Sequence, residues 1–174
     1  MRRAEVAVML LAVATAACGR NVVHNPSPAA GSAGVDQRKI AIYEAVVRSQ
    51  TEFKQDPVYI YVKLCEDAGG AGSPTDCSGA LSPEEQDALA AALSDYSSLA
   101  FVSEIGDITE HIFKGEGGQL IRLGPIAEVG GRIQVPGSHY CGGLCGGGST
   151  WVVEDTTEGW KVAGPVPGEG VWIS

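Results

Sequence analysis

The sequence is short of positive charge: 12 Lys and Arg stand against 21 Asp and Glu, a formal net charge of −9. Nucleic-acid backbones are therefore poor partners, because binding them needs clustered Lys and Arg that release counterions. Outside the N-terminus there is no apolar run of about 18 or more residues, and charge is spread along the rest, which excludes a polytopic membrane protein and a coiled coil. Internal repeats are also lacking. The 174 residues, 44% hydrophobic and 19% charged, accommodate one ordinary domain rather than a two-domain enzyme, and they do not have the composition of a long disordered tail.

The N-terminus carries the most explicit signal. Arg2 and Arg3 precede an apolar run from Val6 to Ala14, followed by small residues and Cys18. A charged segment, a short apolar core and a small-residue zone make an export signal, and the run is too short for a stable membrane span, which needs about 20 apolar residues. Thr15-Ala16-Ala17-Cys18-Gly19 resembles the lipobox of bacterial lipoprotein precursors, with Thr15 standing where an aliphatic residue is usual. The resemblance implies cleavage before Cys18 and acylation of its thiol, with palmitate-type chains holding the protein on a membrane. An ordinary site at Ala14-Thr15-Ala16, cut before Ala17, is the rival. Cysteine parity favours the lipobox: with Cys18 acylated, Cys65, Cys77, Cys141 and Cys145 remain as an even set in an oxidising compartment. Removing residues 1–17 takes away Arg2, Arg3 and Glu5, so the remaining chain is more acidic still. Anionic headgroups would repel it, and membrane residence would come from the acyl chains.

Three regions follow: a signal over 1–17, a lipidated N-terminus and tether over 18–35, and one domain over 36–174. The tether is rich in Gly, Ala, Ser, Pro and Asn and, as a coil, would reach roughly 20 to 25 Å. His24 reads as a solvated linker residue. Asp36 caps a helix expected to run to about Phe53, with Ile40, Tyr43, Val46 and Val47 on one face. Asp56-Pro57 ends it, and residues 58–64 alternate as a half-buried strand in which Tyr59 and Tyr61 share a side. Those tyrosines suit ordinary sheet packing better than ligand stacking. Residues 65–80 read as a polar loop between Cys65 and Cys77, and a disulfide closing it would contribute about 3 kcal/mol by chain entropy. Glu66, Asp67 and Asp76 lack the ligand alternation of a calcium loop. Ser82-Pro83-Glu84-Glu85 is a capping-box start for a second helix carrying Leu89, Ala92 and Leu93 on one face. A β-prone stretch over 99–105 follows. The last third then reads as an antiparallel meander, with strands near 119–123, 126–129, 132–139, 150–154, 159–163 and 170–173 and turns at Gly130-Gly131 and 156–159.

One stretch looks chemically deliberate. From His139 to Ser149 the chain reads HYCGGLCGGGS, and five of the eight residues from Cys141 to Gly148 are glycine. A Cys141–Cys145 disulfide pinning a wide hairpin loop is the first reading, worth about 2 kcal/mol. Four cysteines allow three pairings, so a bond from Cys65 or Cys77 to this loop is also open. Zinc would need His139, Cys141 and Cys145 with a fourth ligand from Cys65, Cys77 or His111, but the spacing is no standard knuckle. Nucleophilic catalysis would use Cys145 in Gly143-Leu144-Cys145-Gly146-Gly147, with His111 or His139 as base, but an elbow needs a following helix. Gly146 to Thr150 lacks the lysine of a phosphate-binding loop. The Cys141 to Gly148 loop, followed by Trp160 and Trp172, resembles bacterial envelope proteins of uncharacterised activity with a CG-x-LCG-x-G loop, a Trp-containing hairpin and a final Trp strand. The likeness implies no particular reaction.

These readings converge on an α+β fold: two helices packed on a mostly antiparallel sheet that ends in a C-terminal β-meander. The expected protein is an exported lipoprotein, anchored to a bacterial membrane through Cys18 with its domain outside the cytoplasm. Its expected role is binding or structure in the cell envelope, with an envelope protein or a small ligand as partner and no cofactor, metal or catalytic constellation. The alternative is a cysteine-dependent hydrolase or redox enzyme using Cys145 or Cys141.

Overall fold

The computed structural model describes residues 34–51, 56–66 and 77–173. The expected signal, Cys18, residues 19–33 of the tether with His24, residues 52–55, which include the expected end of the first helix, and residues 67–76 of the polar loop lie outside the described residues.

Helix α1 (Gln37–Gln50) starts where Asp36 Oδ1 accepts from the backbone N–H of Arg38 at 2.9 Å and of Lys39 at 3.3 Å. It buries Ile40, Ile42, Tyr43, Val46, Val47 and Gln50. Its C-terminus uses no glycine. Thr51 donates from its backbone N–H and its hydroxyl to Val47 O, and the amide of Gln119 donates to Gln50 O at 2.6 Å. These three bonds satisfy two of the carbonyls at the helix end. The helix therefore stops at Gln50, short of the expected Phe53, with Thr51 as its cap.

Helix α2 (Pro83–Ala92) has the expected capping box, Ser82 Oγ accepting from Glu85 N while the Glu85 carboxylate accepts from Ser82 N. It seats Leu89 and Leu93 in the same core as α1. A third helix, α3 (Gly106–Phe113), corrects the expectation of two. Its first turn has no side-chain cap, Ile105 occupying that position, so the usual start signal is missing from the sequence.

The sheet has nine strands among the described residues. β1 (Val58–Cys65) lies between β4 (Gln119–Leu123) on one side and both β2 (Cys77–Ala80) and β3 (Leu99–Val102) on the other. The β1 pairings with β3 and β4 are parallel and the rest antiparallel, and past β4 the order continues through residues 132–142, 145–156 and 159–165. The later strands are β5 (Ala127–Val129), β6 (Arg132–Gly142), β7 (Cys145–Thr156), β8 (Gly159–Pro165) and β9 (Trp172–Ile173), with β5 on β6 and β9 on β7. The fold is thus α+β and rich in sheet. Two expectations change here. Cys77–Ala80 is strand rather than loop, and β6 and β7 take up residues 140–142 and 145–149, which were expected to belong to the wide loop.

Alternation along the strands divides the core in two. Val58, Ile60, Ile121, Leu123, Ile133, Val135 and Val153 face α1 and α2. Tyr61, Leu120 and Tyr140 face the other way and pack with Ile105 and Ile112 of the α3 region. Tyr59 packs against this second cluster and Tyr61 is buried in it, so the tyrosine pair serves the sheet face. Disulfides join Cys65 to Cys77 and Cys141 to Cys145. No helix among the described residues is long and apolar enough to cross a membrane.

Candidate functional site

The C-terminal turn of α1 and the far end of the β6–β7 hairpin are brought together by a missing side chain. A Cβ on Gly137 would lie 2.8 Å from Val46 Cγ1 and 3.0 Å from Trp151 Cδ1, so glycine lets α1 sit directly on β6. Trp151 braces this contact, its indole N–H donating to Gly137 O at 2.8 Å. From that crossing the two elements keep step. Four helical residues advance about 6 Å and two strand residues about 6.8 Å, so Gln50 arrives above His139 just as Val46 sits above Gly137.

A directed chain of hydrogen bonds follows. Ser49 Oγ donates to Val46 O at 2.7 Å and accepts from Gln50 Nε2 at 3.2 Å. That orients the Gln50 amide with Oε1 toward His139 Nδ1, 3.1 Å away. A carbonyl oxygen can only accept, so Nδ1 carries the proton and Nε2 is left with its lone pair. Nε2 has no hydrogen-bond partner among the described residues and is not one of the fully buried orphan atoms. Partial burial lowers the imidazole pKa below its ordinary value by disfavouring the charged form, so at neutral pH this ring is an acceptor.

Opposite His139 across the hairpin is Gly147. A Cβ there would meet Trp172 O at 3.2 Å and His139 Cε1 at 3.4 Å. Glycine at this position lets β9 and the imidazole share the space above β7. The hairpin then turns through Gly143 and Leu144, with positive φ at Gly142 and Gly143. At Gly142 a side chain would also press to 2.8 Å from Ile112 O. The Cys141–Cys145 disulfide bridges this short turn.

The result is a cleft of about 480 Å³, within the range of small-ligand sites. The buried glycines Gly146, Gly147 and Gly148 border it together with Gln50, His139 and Trp151. Leu144, Val171 and Ile173 complete it. Large exposed apolar side chains number five among the described residues, and these are three of them, at 93%, 47% and 82% exposure. Their grouping around one cleft makes it an apolar patch rather than scattered surface hydrophobicity. Charged residues line the depression between α1 and the β7–β8 turn, whereas none of the described residues that line this cleft is charged.

The remaining sequence candidates do not assemble with it. His111 belongs to α3, which packs on the opposite sheet face, and its Nδ1 lies 2.5 Å from a Glu116 carboxylate oxygen. Cys65 and Cys77 join β1 to β2. With all four of these cysteines in disulfides, no thiolate is left to complete the zinc set around His139. Among the described residues no group of three or more His, Cys, Asp or Glu could hold a metal ion.

Gln50, Trp151, Val171 and Ile173 were not singled out by sequence reasoning. A signal for Gln50 existed: it follows Val46 and Val47 by four and three residues, a polar residue on the buried stripe of α1. No family model matches the chain, and no curated protein or solved structure matches it significantly.

Proposed function

We propose that the protein is an exported lipoprotein, held on a bacterial membrane through acylated Cys18, whose domain binds a partner non-covalently in the cell envelope. The cleft beside the Cys141–Cys145 turn carries the binding part of this reading. It groups exposed apolar side chains around one oriented imidazole acceptor. The anchor rests on the lipobox resemblance at Thr15 to Gly19 and on the even cysteine set that Cys18 leaves behind. In its finer form the fold is a meander platform, β6-β7-β8, that presents the cleft at one end. The alternative cysteine-dependent chemistry needs a thiolate at Cys145 or Cys141, and these two are bonded to each other.

The test is mass spectrometry, intact and at the peptide level, on protein extracted from its native membrane without reduction. Acyl chains on Cys18 with the other four cysteines oxidised are expected. An N-terminus at unmodified Ala17 would sink the anchor, and alkylatable thiols at Cys141 and Cys145 in native protein would return weight to the enzyme reading.

A further inference from the structure

Four of the five large apolar side chains exposed among the described residues collect at one end of the molecule. Leu144 is in the β6–β7 turn, and Val171 and Ile173 line the cleft beside it. Phe113 reaches the same tip from the other face of the sheet: it follows Ile112, whose carbonyl carbon lies 3.5 Å from the position of a Cβ on Gly142. The fifth, Val129, sits at the opposite end of β6, beside the Gly130-Gly131 turn. The 11 residues of β6 separate the two ends by roughly 33 Å.

Shape separates the possible occupants. Leu144 is almost wholly exposed on a turn, and the four side chains arise on both sides of the sheet. A protein partner would need a socket built around such a tip, whereas the interfacial layer of a bilayer closes around it without one. Charge and position point the same way. None of the described residues lining the cleft side is charged, and Lys114 and Glu169, the neighbours of Phe113 and Val171 in the chain, are exposed and free to stay among headgroups. Helix α1 borders the cleft at its C-terminal turn and begins 14 residues earlier, at Gln37, about 21 Å away. Residues 19–35 join Cys18 to Asp36, and a coil of that length reaches roughly 20 to 25 Å. Acyl chains on Cys18 and the hairpin tip can therefore enter one bilayer.

We propose that the hairpin tip docks on the bilayer that holds the Cys18 acyl chains, with Leu144, Ile173, Val171 and Phe113 entering its interfacial layer. This names the partner for the binding role argued above and rests on the anchor. So few side chains hold lipid weakly from free solution, but a short tether keeps them at an effective concentration of about millimolar. With a net charge of −9, the chain is opposed by a negative membrane surface, so the lipid it selects is zwitterionic. Docking also orients the domain, its Gly130-Gly131 end pointing away from the membrane.

The test couples residues 18–174, isotopically labelled and with the other four cysteines oxidised, through the Cys18 thiol to a maleimide-bearing lipid in phosphatidylcholine nanodiscs. Docking is then read whether or not the cell acylates Cys18. A phosphatidylcholine with a nitroxide near the head of its acyl chain broadens amide signals close to the membrane. Strong broadening is expected at Phe113, Gly143, Leu144 and Ile173 and none at Gly130 or Gly131, with less contrast when phosphatidylglycerol replaces part of the lipid. Leu144→Asp and Ile173→Asp, both at exposed positions, should each lower the ratio of docked to free domain about tenfold, and the amide shifts of the rest of the domain report that they fold. Uniform broadening over the domain would overturn the docking and leave the anchor to be judged by the acyl chains on Cys18. Tighter docking on phosphatidylglycerol would overturn the apolar mechanism. No broadening on lipid, together with concentration-dependent shifts at Leu144 and Ile173 in the untethered chain, would give the tip to a second copy instead. Selective broadening here with no acyl chain on native Cys18 would overturn the anchor and keep the affinity of the tip for lipid.

Discussion

The two ends of the β6–β7 hairpin are built from the same backbone pairing and opposite side-chain choices. At one end Ile133 faces Val153 and Val135 faces Trp151, all on the side covered by α1. At the other end Ser138, His139 and Tyr140 face Gly148, Gly147 and Gly146. The ladder of hydrogen bonds continues through both, but only at the first end do both strands carry side chains into the core. Hydrophobic burial stabilises the filled end. At the glycine end β7 gives up that contribution. A disulfide stands where apolar side chains would otherwise hold the strands together.

This contrast can be broken first at the filled end. Val135 is fully buried, and Val135→Ala should lower the unfolding free energy by roughly 2 to 3 kcal/mol through lost burial and a residual cavity. Urea unfolding would measure it, and a loss under about 0.5 kcal/mol, the usual surface-substitution range, would show that the filled end is not the stabilising one. Next in size is the staple at the glycine end. The paired change Cys141→Ala with Cys145→Ala should cost about 2 kcal/mol, the chain-entropy value for so short a loop. The comparison would be sharpened if hydrogen exchange sped up at Gly146 to Gly148 and left Val152 and Val153 protected. Uniform loss of protection would mean that the two ends open as one unit.

What was legible in the chain follows the same division. Elements with local signals were readable: Asp36 opening α1, Ser82-Pro83-Glu84-Glu85 opening α2, the alternation of β1, and Gly130-Gly131 turning β5 into β6. α3 was not, because Ile105 offers no capping oxygen. The glycine run read as loop because glycine has poor strand propensity on its own. Only tertiary pairing, with β6 on one side and β9 on the other, makes it a strand. His139 was visible as a chemically capable residue, but its meaning depended on Gln50, 89 positions away, and no local pattern joins the two. The Cys65–Cys77 and Cys141–Cys145 bonds match the first pairing that spacing suggested, while the short turn inside the second was hidden by its glycines.

A smaller effect separates the ends by pH. Burial depresses the His139 pKa below its ordinary value of 6.5, so between those two values the unfolded chain binds more protons than the native one. Stability therefore rises with pH in that window. The His139 contribution is complete above about 6.5 and is lost as pH falls toward the lowered native value. Ser49 and Gln50 face the ring from α1, and among the described residues no carboxylate lines the cleft to reverse the sign. The urea midpoint should fall from pH 7.5 to pH 5.5 in the wild type and fall less in His139→Gln. An identical drop in both proteins would assign the acid sensitivity elsewhere.

The smallest expected change lies at the junction of the two ends. Ser149 pairs with Gly137 in the ladder, one residue beyond Gly148, and its hydroxyl is buried without a hydrogen-bond partner. A buried, unsatisfied hydroxyl opposes folding by roughly 1 to 3 kcal/mol, whereas a methyl of similar size does not. Ser149→Ala should therefore leave the unfolding free energy unchanged or raise it by up to about 1 kcal/mol, an unusual sign for a core substitution. If the variant is instead destabilised by more than about 1 kcal/mol, the hydroxyl is engaged in the native protein. A buried water at Gly137 would be the simplest engagement, and the boundary between the packed end and the cleft would then be a polar contact rather than the last of the filled positions.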